Sequence, residues 1–377
     1  MTDLEDILNV RFALRRRLND VKWHAYDGSI PRSVLSADKE PALHATIAVA
    51  AAAIAVDPDT ILRDIYSSEE RRRDWLALLG KTVLTPDASD VLPIDARSRP
   101  GHKLLDHHMS HFYDVANHSG KSVRQLASDP AAVARALITN VAMHSTPYKS
   151  ELRRMLTMTA GMSSVTKYRA VTAKAVVSYF SATRVLDPCI GWGGRMIGTL
   201  AAGPTTQFTG CEPDSRTWAG LCAVRDDLPA SVGAASRVRL INAPAEAAIP
   251  MLTDLYDMVL TSPPYFNLEI YTSEATQSVI THPTWEDWHD NWLRPVVLAA
   301  LARLVSDGTS CWSVKNFRVG RLYPLADAVR KIHEDAGWAL VKTIKMTGSG
   351  RPGGGRIVSG KEGRVSEEET FCFKRSL

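Results

Sequence analysis

The stretch VLDPCIGWGGRM, from Val185 to Met196, decides the fold that the sequence predicts. Its first residues are typical of a short buried strand, and its last residues open a helix. Between them, Gly191, Gly193 and Gly194 permit positive φ and a close approach of backbone to a ligand, although an ordinary glycine-rich turn has the same composition. The spacing is neither the GxGxxG dinucleotide fingerprint nor a P-loop, which needs a lysine followed by Ser or Thr. The sequence therefore disfavours NAD and nucleoside triphosphates.

The same order of strand, turn and helix recurs from about Lys167 onward. Such alternation predicts an α/β fold with a doubly wound, Rossmann-like sheet whose last strands form a C-terminal hairpin. A single long helix is expected over residues 285–305. Strands are expected within RVLDP (184–188), QFTGCEP (207–213), RVRLINAPA (237–245), YDMVLTSPP (256–264), TSCWSVKN (309–316) and WALVKTIKM (338–346).

The first part of the chain has a different, mostly helical texture. Helix starts are predicted at Asp57 and Ser128, where Asp or Ser can cap and a proline falls in the first turn. The apolar run from Ala45 to Val56 predicts a buried helix and is too short to span a bilayer. We therefore expect a helical N-terminal domain over residues 1–150 and a catalytic domain over residues 151–377.

Composition limits the class of protein further. The 377 residues are 45% hydrophobic, which suffices for two domains with a sizeable core. Five cysteines without a C-x-x-C pair argue against a disulfide framework or a zinc site, and they indicate a reducing cytoplasm. The start MTDLEDILNVRF lacks the basic region and apolar core of a signal peptide, so we expect a cytoplasmic protein without a membrane partner. The net charge of +4 permits a polyanionic partner without requiring one.

Polar residues follow the second and third predicted strands. Glu212 ends the second strand, where an acid in a nucleotide-binding fold hydrogen-bonds the two hydroxyls of a ribose. Asn242 and Glu246 follow the third strand, and they would rim an adenine pocket or lie in a surface turn. These positions predict a nucleoside-containing ligand at the same sheet edge as the glycine turn.

The fourth predicted strand runs into VLTSPPYF, from Val259 to Phe266. Because proline cannot donate to a sheet ladder, this strand must end at Thr261 or Ser262. The two prolines then form a stiff loop at the end of a central strand, where open α/β sheets bind ligands. A rigid turn that only closes the strand is the alternative interpretation.

Together, VLDPCIGWGGRM, TGCEPD and VLTSPPYF resemble motifs I, II and IV of amino-group DNA methyltransferases, over roughly residues 165–345. The resemblance implies S-adenosylmethionine as cofactor, and the order of the motifs excludes the circularly permuted arrangement. The chain departs from the family at Cys189, where a bulky residue is usual, and in GWGGR, where GxGT is common. In that family a segment before motif I also touches the cofactor. The cofactor-binding candidates are thus Lys167, Tyr168, Arg169, Asp187, Cys189, Gly191, Gly193, Gly194, Glu212, Pro213, Asn242 and Glu246.

The resemblance also implies methyl transfer to the exocyclic amine of a base. Such an amine is a poor nucleophile because its lone pair is delocalised into the ring. The Ser262 side chain and the Pro263 carbonyl would accept its two hydrogens and localise the lone pair, and Pro264 would help to keep the loop stiff. Tyr265 or Phe266 would stack on a base flipped out of the duplex. Serine in the first position favours cytosine N4 over adenine N6, and this chemistry requires no metal.

Residues after the acceptor motif are candidates for DNA contacts. Asn267, Glu269, Thr276 and Gln277 carry groups that can read base edges. The stretch from Met346 to Arg364 predicts a mobile basic loop that closes over DNA phosphates, or else a disordered hairpin loop. Its candidate phosphate contacts are Arg351, Arg356 and Arg364.

Two other patterns have simpler structural explanations. Four histidines between positions 102 and 111 include His107 and His111, whose spacing can bind zinc, but an aromatic-rich helix explains them more simply. Trp285, Trp288 and Trp292 predict an apolar helix stripe packed on the sheet rather than a base-stacking platform.

The sequence as a whole predicts S-adenosylmethionine-dependent methylation of an amine in duplex DNA, with a helical domain that helps to bind or select the target. An enzyme that methylates RNA bases, or that transfers another group from the sulfonium, is the first alternative. A non-catalytic DNA-binding protein that senses the cofactor is an alternative from another class.

Overall fold

The computed structural model describes residues 41–83, 86, 91–92, 99–143, 148–162, 165–346 and 369–376. These residues form two compact units, and the first comprises the chain up to Asp64 together with Ser110–Val165. The second comprises Ile65–Met109 and the chain from Thr166 onward. This division differs from the boundary expected at residue 150, because Ile65–Met109 packs with the sheet.

Long-range contacts explain why Ile65–Met109 joins the sheet unit. The buried ammonium of Lys174 donates to the carbonyl oxygens of Leu78 and Leu79, at 3.1 and 2.7 Å, where helix Ser68–Leu79 ends. A Cβ atom added at Gly101 would lie 2.7 Å from Ile197 Cδ1. Such contacts depend on tertiary packing, and no local sequence pattern predicts them.

The sheet has the predicted doubly wound architecture. The strands are β1 (Arg184–Asp187), β2 (Gln207–Cys211), β3 (Val238–Ile241), β4 (Tyr256–Thr261), β5 (Leu304–Val314), β6 (Trp338–Met346) and β7 (Glu369–Arg375). Their order in the sheet is β3-β2-β1-β4-β5-β7-β6, and the two-residue strand Val91–Leu92 pairs in parallel with the outer edge of β6. Neighbouring strands from β3 to β5 are parallel, whereas β7 is antiparallel to both β5 and β6. The predicted fold class, with its C-terminal hairpin, is therefore confirmed.

Helices cover the sheet, and further short elements follow β4 and β5. Phe317–Val319 and Arg321–Tyr323 pair as a small antiparallel hairpin, and Glu269–Ile270 is a two-residue strand. The α-helices are Ser68–Leu79, His102–His108, Ala170–Tyr179, Gly194–Ala202, Ser215–Asp227, Ala234–Arg237, Ala245–Ala248, Ser278–Thr281, Trp285–Trp288, Arg294–Ala302 and Leu325–Asp335, with 3-10 turns at Ala230–Val232 and Ile249–Met251.

The long helix expected over residues 285–305 is interrupted. Trp285–Trp288 is α-helical, His289–Leu293 is a π-helix, and Arg294–Ala302 is α-helical again. Strand β5 then starts at Leu304, so the strand takes residues that the pattern assigned to the helix end and to a turn. The tryptophan stripe is core, as predicted, because Trp288 is fully buried and Trp292 is 4% exposed.

The first unit is helical, as predicted. Helix Pro41–Val56 buries one face only: Leu43 and Ile54 are buried, whereas Val49 is 67% exposed, which corrects the expectation of a buried helix. The carboxylate of Asp129, not Ser128, caps helix Pro130–Ala142. The other elements of this unit are helices Asp59–Leu62, Val123–Ala127 and Lys149–Thr159, the 3-10 turn Ser110–Asp114 and strand Ala116–Asn117.

Within the described ranges, no helix combines the length and the apolar content needed to cross a bilayer. The basic stretch with Arg351, Arg356 and Arg364 lies outside the described residues, so its role in DNA contact stays a prediction.

Candidate active site

The candidate site lies where the strand order of the sheet reverses. Strands β1 and β4 are adjacent there, and the chain continues to β2 on one side and to β5 on the other. Ligands of open α/β sheets bind at the carboxyl ends of the strands at such a point. The Thr261 hydroxyl, at the end of β4, donates to Asp187 Oδ1 at the end of β1, at 2.7 Å. This bond joins the bases of the glycine turn and of the proline loop.

A buried ion pair holds the glycine turn. Asp187 is fully buried, and Arg195 Nε donates to its Oδ2 at 2.8 Å. The Cys189 N–H donates to Asp187 Oδ1 at 3.1 Å, and Arg195 also donates to the carbonyl oxygens of Cys189 and Ile190. Burial alone lowers the pKa of Arg195, but the Asp187 carboxylate more than offsets this and raises it. Asp187 therefore organises the turn in this structure, whereas the sequence suggested that it binds the cofactor.

Sequence reasoning missed Arg195 as a site residue. Its signal was present as the arginine that ends GWGGR, where the resembled family usually has GxGT. An arginine at this point of the turn reaches back to the acid that starts it, so the departure from the motif and the buried ion pair have one explanation.

The three glycines serve different purposes. Gly191 and Gly193 have φ of +58° and +83°, in the left-handed region that favours glycine. A Cβ atom on Gly194 would lie 2.0 Å from the Tyr168 carbonyl oxygen, so this glycine allows the preceding segment to pass. A Cβ atom on Gly191 would meet nothing within 4 Å, so open space adjoins this residue.

The segment before β1 lies beside the glycine turn. The Arg195 guanidinium lies 4.9 Å from the centre of the Tyr168 ring, and the Tyr168 hydroxyl is 3.1 Å from Ser313 Oγ on β5. The Lys167 ammonium contacts the Asp106 carboxylate, so Asp106 compensates its charge. Arg169 is half-buried and precedes helix Ala170–Tyr179.

Glu212 is buried at the end of β2 and faces the glycine turn. Its two carboxylate oxygens accept from the backbone N–H groups of Gly191 and Asp214, both at 3.0 Å. Burial raises the pKa of Glu212 to about 8. Burial also raises the pKa of the Cys189 thiol well above its usual value, so this cysteine stays protonated.

The predicted adenine-rim residues have polar partners of their own. Asn242 is exposed, and its amide donates to the backbone carbonyls of Glu212 and Pro213, at 3.0 and 3.3 Å. The Glu246 carboxylate accepts from Trp292 Nε1 at 2.9 Å. Asn242 therefore fixes the loop after β2, and Glu246 ties the loop after β3 to the π-helix.

The proline loop, Ser262–Tyr265, follows β4 directly, so the proposed strand end is confirmed. Ser262 and Pro264 are half-buried, and Pro263 is buried. The Tyr265 hydroxyl accepts from the Lys315 N–H at 3.1 Å, and the Tyr265 ring meets Phe317 edge-on, with centroids 5.5 Å apart. Tyr265 is thereby fixed to the end of β5.

Phe266 does not have the role that the sequence suggested. Its ring is 3% exposed and packs against Trp285, Trp288 and Tyr323, at centroid distances of 5.6 to 5.9 Å. Its φ of +43° lies in a region that bulky residues rarely adopt, so packing must hold it there. A ring buried in this way cannot stack on a base, and Phe266 acts as the anchor of the loop.

Residues after the loop divide between the pocket and the scaffold. The amide oxygen of Asn267 is buried and has no hydrogen-bond partner among the described atoms, which suits a group that contacts a ligand. Gln277 is buried, and its oxygen accepts from the Thr272 N–H at 2.8 Å, so this amide closes a turn instead of facing a base. Thr276 Oγ1 lies 3.5 Å from the Pro213 carbonyl.

Glu269 and Tyr271 form a pair that sequence reasoning did not single out. The Tyr271 hydroxyl donates to the Glu269 carboxylate, and both residues are half-buried. The Tyr271 ring lies 6.3 Å from that of Trp192, which belongs to the glycine turn. Only the fold brings these aromatic residues together, since they do not share a motif.

The histidines of helix His102–His108 have separate surroundings. His108 Nε2 lies 2.8 Å from Asp227 Oδ2, and His107 Nδ1 accepts from the Tyr66 N–H at 3.1 Å. Burial lowers the pKa of His102 to about 4. In the part of the chain that the structure describes, no three His, Cys, Asp or Glu residues are grouped so that they could hold a metal ion.

Comparison with known proteins gives structural likenesses only. No protein-family model and no curated protein matches the chain. TrmN from Thermus thermophilus is 19% identical with a TM-score of 0.37, over 55% of this chain and 49% of TrmN, so the match spans about half of that protein. A putative rRNA methylase from Clostridium thermocellum is 9% identical, with a TM-score of 0.36, over 56% of this chain and 99% of that one. The glycopeptide N-methyltransferase MtfA, solved with S-adenosylmethionine, is 12% identical, with a TM-score of 0.38, over 55% and 87% of the two chains.

Proposed function

We propose that this protein transfers a methyl group from S-adenosylmethionine to the exocyclic amine of a base in DNA, with cytosine N4 favoured over adenine N6. One observation carries the proposal. The SPPY loop leaves β4 beside the glycine turn that leaves β1, and the bond between Thr261 and Asp187 joins them. A nucleoside site and an amine-accepting loop therefore adjoin at the switch point of the sheet.

The residues on the cofactor side fit S-adenosylmethionine. The open space beside Gly191 admits a ligand against the backbone, and Glu212 lies at the end of β2 next to that space. Each oxygen of a carboxylate can accept more than one hydrogen bond, so Glu212 can bind ribose hydroxyls and still hold its two backbone donors. When bound, the cofactor supplies an electrophilic methyl group on a sulfonium.

The proline loop supplies what a poor nucleophile lacks. The Ser262 oxygen and the Pro263 carbonyl accept the two amine hydrogens, which pulls the nitrogen toward tetrahedral geometry and localises its lone pair. The two prolines and the anchored Tyr265 and Phe266 keep both acceptors in place without substrate. The rest of the chemistry is alignment of the nitrogen with the methyl group.

Duplex DNA is the proposed substrate, and its target base must leave the stack to reach this loop. Of the two aromatic residues, Tyr265 is less deeply buried, at 9% exposed against 3% for Phe266, and it is the one that we assign to the flipped base. The arginines at 351, 356 and 364 are assigned to the DNA backbone by their charge, and the helical unit is assigned to binding or selection of the target by elimination.

Incorporation of labelled methyl groups into mixed duplex DNA, followed by nucleoside mass spectrometry, tests the proposal. We expect N4-methylcytosine, and Ser262→Ala should lower the rate about 100-fold or more, as removal of one positioned polar group does elsewhere. Ser273→Ala, which changes an exposed serine nearby, is the control and should keep the wild-type rate. Product on RNA but not on DNA would move the assignment to an RNA methyltransferase. Cofactor binding without any product would support a sensor.

A further inference from the structure

We propose that the Glu269 carboxylate accepts the proton that the target amine loses during methyl transfer, and that the Tyr271 hydroxyl positions this carboxylate. The inference rests on the proposed function, because it names the proton acceptor for the same reaction. It adds a catalytic residue outside the SPPY tetrapeptide.

Methyl transfer to an amine requires a proton acceptor. The nitrogen lone pair forms the new N–C bond, the C–S bond breaks, and its electron pair stays on sulfur, which becomes a thioether. The nitrogen then carries the positive charge until one of its hydrogens leaves as a proton. The Ser262 hydroxyl and the Pro263 carbonyl can accept hydrogen bonds, but a neutral hydroxyl and an amide carbonyl are very weak bases at neutral pH. A carboxylate within reach is the better acceptor.

The other carboxylates of the site have different tasks. Asp187 is fully buried and paired with the Arg195 guanidinium. Glu212 lies on the cofactor side and holds two backbone N–H groups. Glu246 accepts from Trp292. Each is committed to the scaffold or to the cofactor.

Glu269 differs in its place and in its partner. It follows the SPPY loop after one short turn, which the hydrogen bond from the Leu268 N–H to the Tyr265 carbonyl closes at 2.8 Å. It is half-buried and accepts from the phenol of Tyr271, a neutral donor that orients the carboxylate without cancelling its charge.

Tyr271 locates the pair between the two halves of the site. Its ring approaches Trp192 of the glycine turn. Burial raises the pKa of the Tyr271 phenol well above its usual value, and Glu269, Tyr265 and Glu212 are near enough to raise it further. The phenol consequently stays protonated and remains a donor to Glu269. The pair thus lies between the segment that follows the acceptor loop and the glycine turn of the cofactor side.

The test compares Glu269→Ala with wild type in single-turnover methylation of duplex DNA. We expect a loss of about 100- to 1,000-fold in the methyl-transfer rate, as is typical when a general base is removed. Added formate should raise the methyl-transfer rate of Glu269→Ala at least about tenfold, because a small carboxylate can occupy the space that the side chain left. Affinity for S-adenosylhomocysteine should stay within about twofold of wild type, since Glu269 is not assigned to the cofactor.

Three further variants separate catalysis from structure. Glu274→Ala removes another carboxylate of the same segment, which contacts Ser215, and it should show neither the loss nor the rescue. Glu269→Gln keeps the shape and should be as slow as Glu269→Ala. Tyr271→Phe keeps the ring beside Trp192 and should lose about three- to tenfold, since only the positioning hydrogen bond is removed.

The outcomes are distinct. An active wild type with an unimpaired Glu269→Gln variant would overturn the role of Glu269 and leave the proposed function intact. Loss of activity that formate does not restore, with lost ligand binding, would assign Glu269 to structure instead. An inactive wild type on both DNA and RNA would overturn the proposed function, and the proton transfer with it.

Discussion

The glycine turn after β1 and the SPPY loop after β4 adjoin, yet they are held by opposite kinds of interaction. The glycine turn depends on buried polar groups: Asp187 and Arg195 form an ion pair, and Asp187 and Glu212 accept from backbone N–H groups of the turn. The SPPY loop depends on apolar packing, because Tyr265 and Phe266 lie among aromatic rings. A hydrogen bond between Thr261 and Asp187 joins their bases.

The difference follows from what each loop must bind. A turn that receives a charged sulfonium nucleoside needs a backbone fixed in one conformation, and buried hydrogen bonds to charged groups fix it. A loop that accepts amine hydrogens needs its acceptors fixed before the substrate binds, and the aromatic packing of Tyr265 and Phe266 fixes them. Four variants test this contrast, from the largest expected effect to the smallest.

Arg195→Ala should break the ionic anchor. It leaves Asp187 buried and unpaired, so we expect the free energy of unfolding to fall by about 3–5 kcal/mol in urea titrations. Arg239→Ala is the control, because its pair with Asp254 is exposed, and such pairs contribute about 0–1 kcal/mol. Equal effects of the two variants would contradict an ionic anchor at the turn.

Tyr265→Phe should weaken the aromatic anchor while leaving its packing intact. The Lys315 N–H loses its acceptor, and we expect the free energy of unfolding to fall by about 1–3 kcal/mol. The rate of methyl transfer should fall while affinity for S-adenosylhomocysteine is kept. A loss of affinity as large as the loss of rate would show that the two loops are not held independently.

Gly191→Ala should separate ligand binding from folding. Its left-handed φ strains an alanine by about 1–2 kcal/mol, and the same holds for Gly337→Ala, whose φ is +78° in equally open space. Both variants should therefore lose similar stability. Only Gly191→Ala should weaken binding of S-adenosylhomocysteine, by about tenfold or more in calorimetry, because a methyl group enters the ligand space. Normal binding would place the cofactor elsewhere.

Glu212→Gln should change the pH dependence of stability. In the folded protein the Glu212 carboxyl group has a pKa of about 8, whereas in the unfolded chain it loses its proton near the ordinary pKa of 4.5. The folded state thus binds more protons between these values, and stability of the cofactor-free protein falls as pH rises through this window, then levels off above it. Glutamine has no proton to lose, so the variant should show a smaller decline in urea titrations at pH 5.5, 7 and 8.5. The exposed Glu334→Gln should keep the wild-type slope.

Local patterns predicted the parts of this protein that depend on local rules. Strand ends at Asp187 and Thr261 follow from glycine and proline chemistry, and strand periodicity predicted the sheet. The extra residues of β5 and the π-helix were missed, because both depend on packing that the pattern does not contain. The inclusion of Ile65–Met109 in the sheet unit was missed for the same reason.

The site was predictable where a motif fixes a backbone and not where side chains meet across the fold. The motifs predicted a cofactor contact for Asp187 and a base-stacking ring for Phe266. In the structure the Asp187 side chain is an ionic anchor and the Phe266 side chain is an apolar anchor. The pairing of Glu269 with Tyr271, and of Tyr271 with Trp192, joins residues without a shared motif. Sequence spacing alone does not predict such contacts between side chains.

The π-helix His289–Leu293 has a consequence for how this region tolerates change in length. A π-turn contains one residue more than an α-turn, so it offsets the faces of the helices on its two sides by about 100°. Trp288 packs under Phe266 on one side, and Val296 and Val297 are buried on the other. Deletion of a single residue here would remove the π-turn and put these two faces out of phase. The support of the SPPY loop thus depends on this one extra residue, so the length of the helical segment is constrained as well as the identity of its residues.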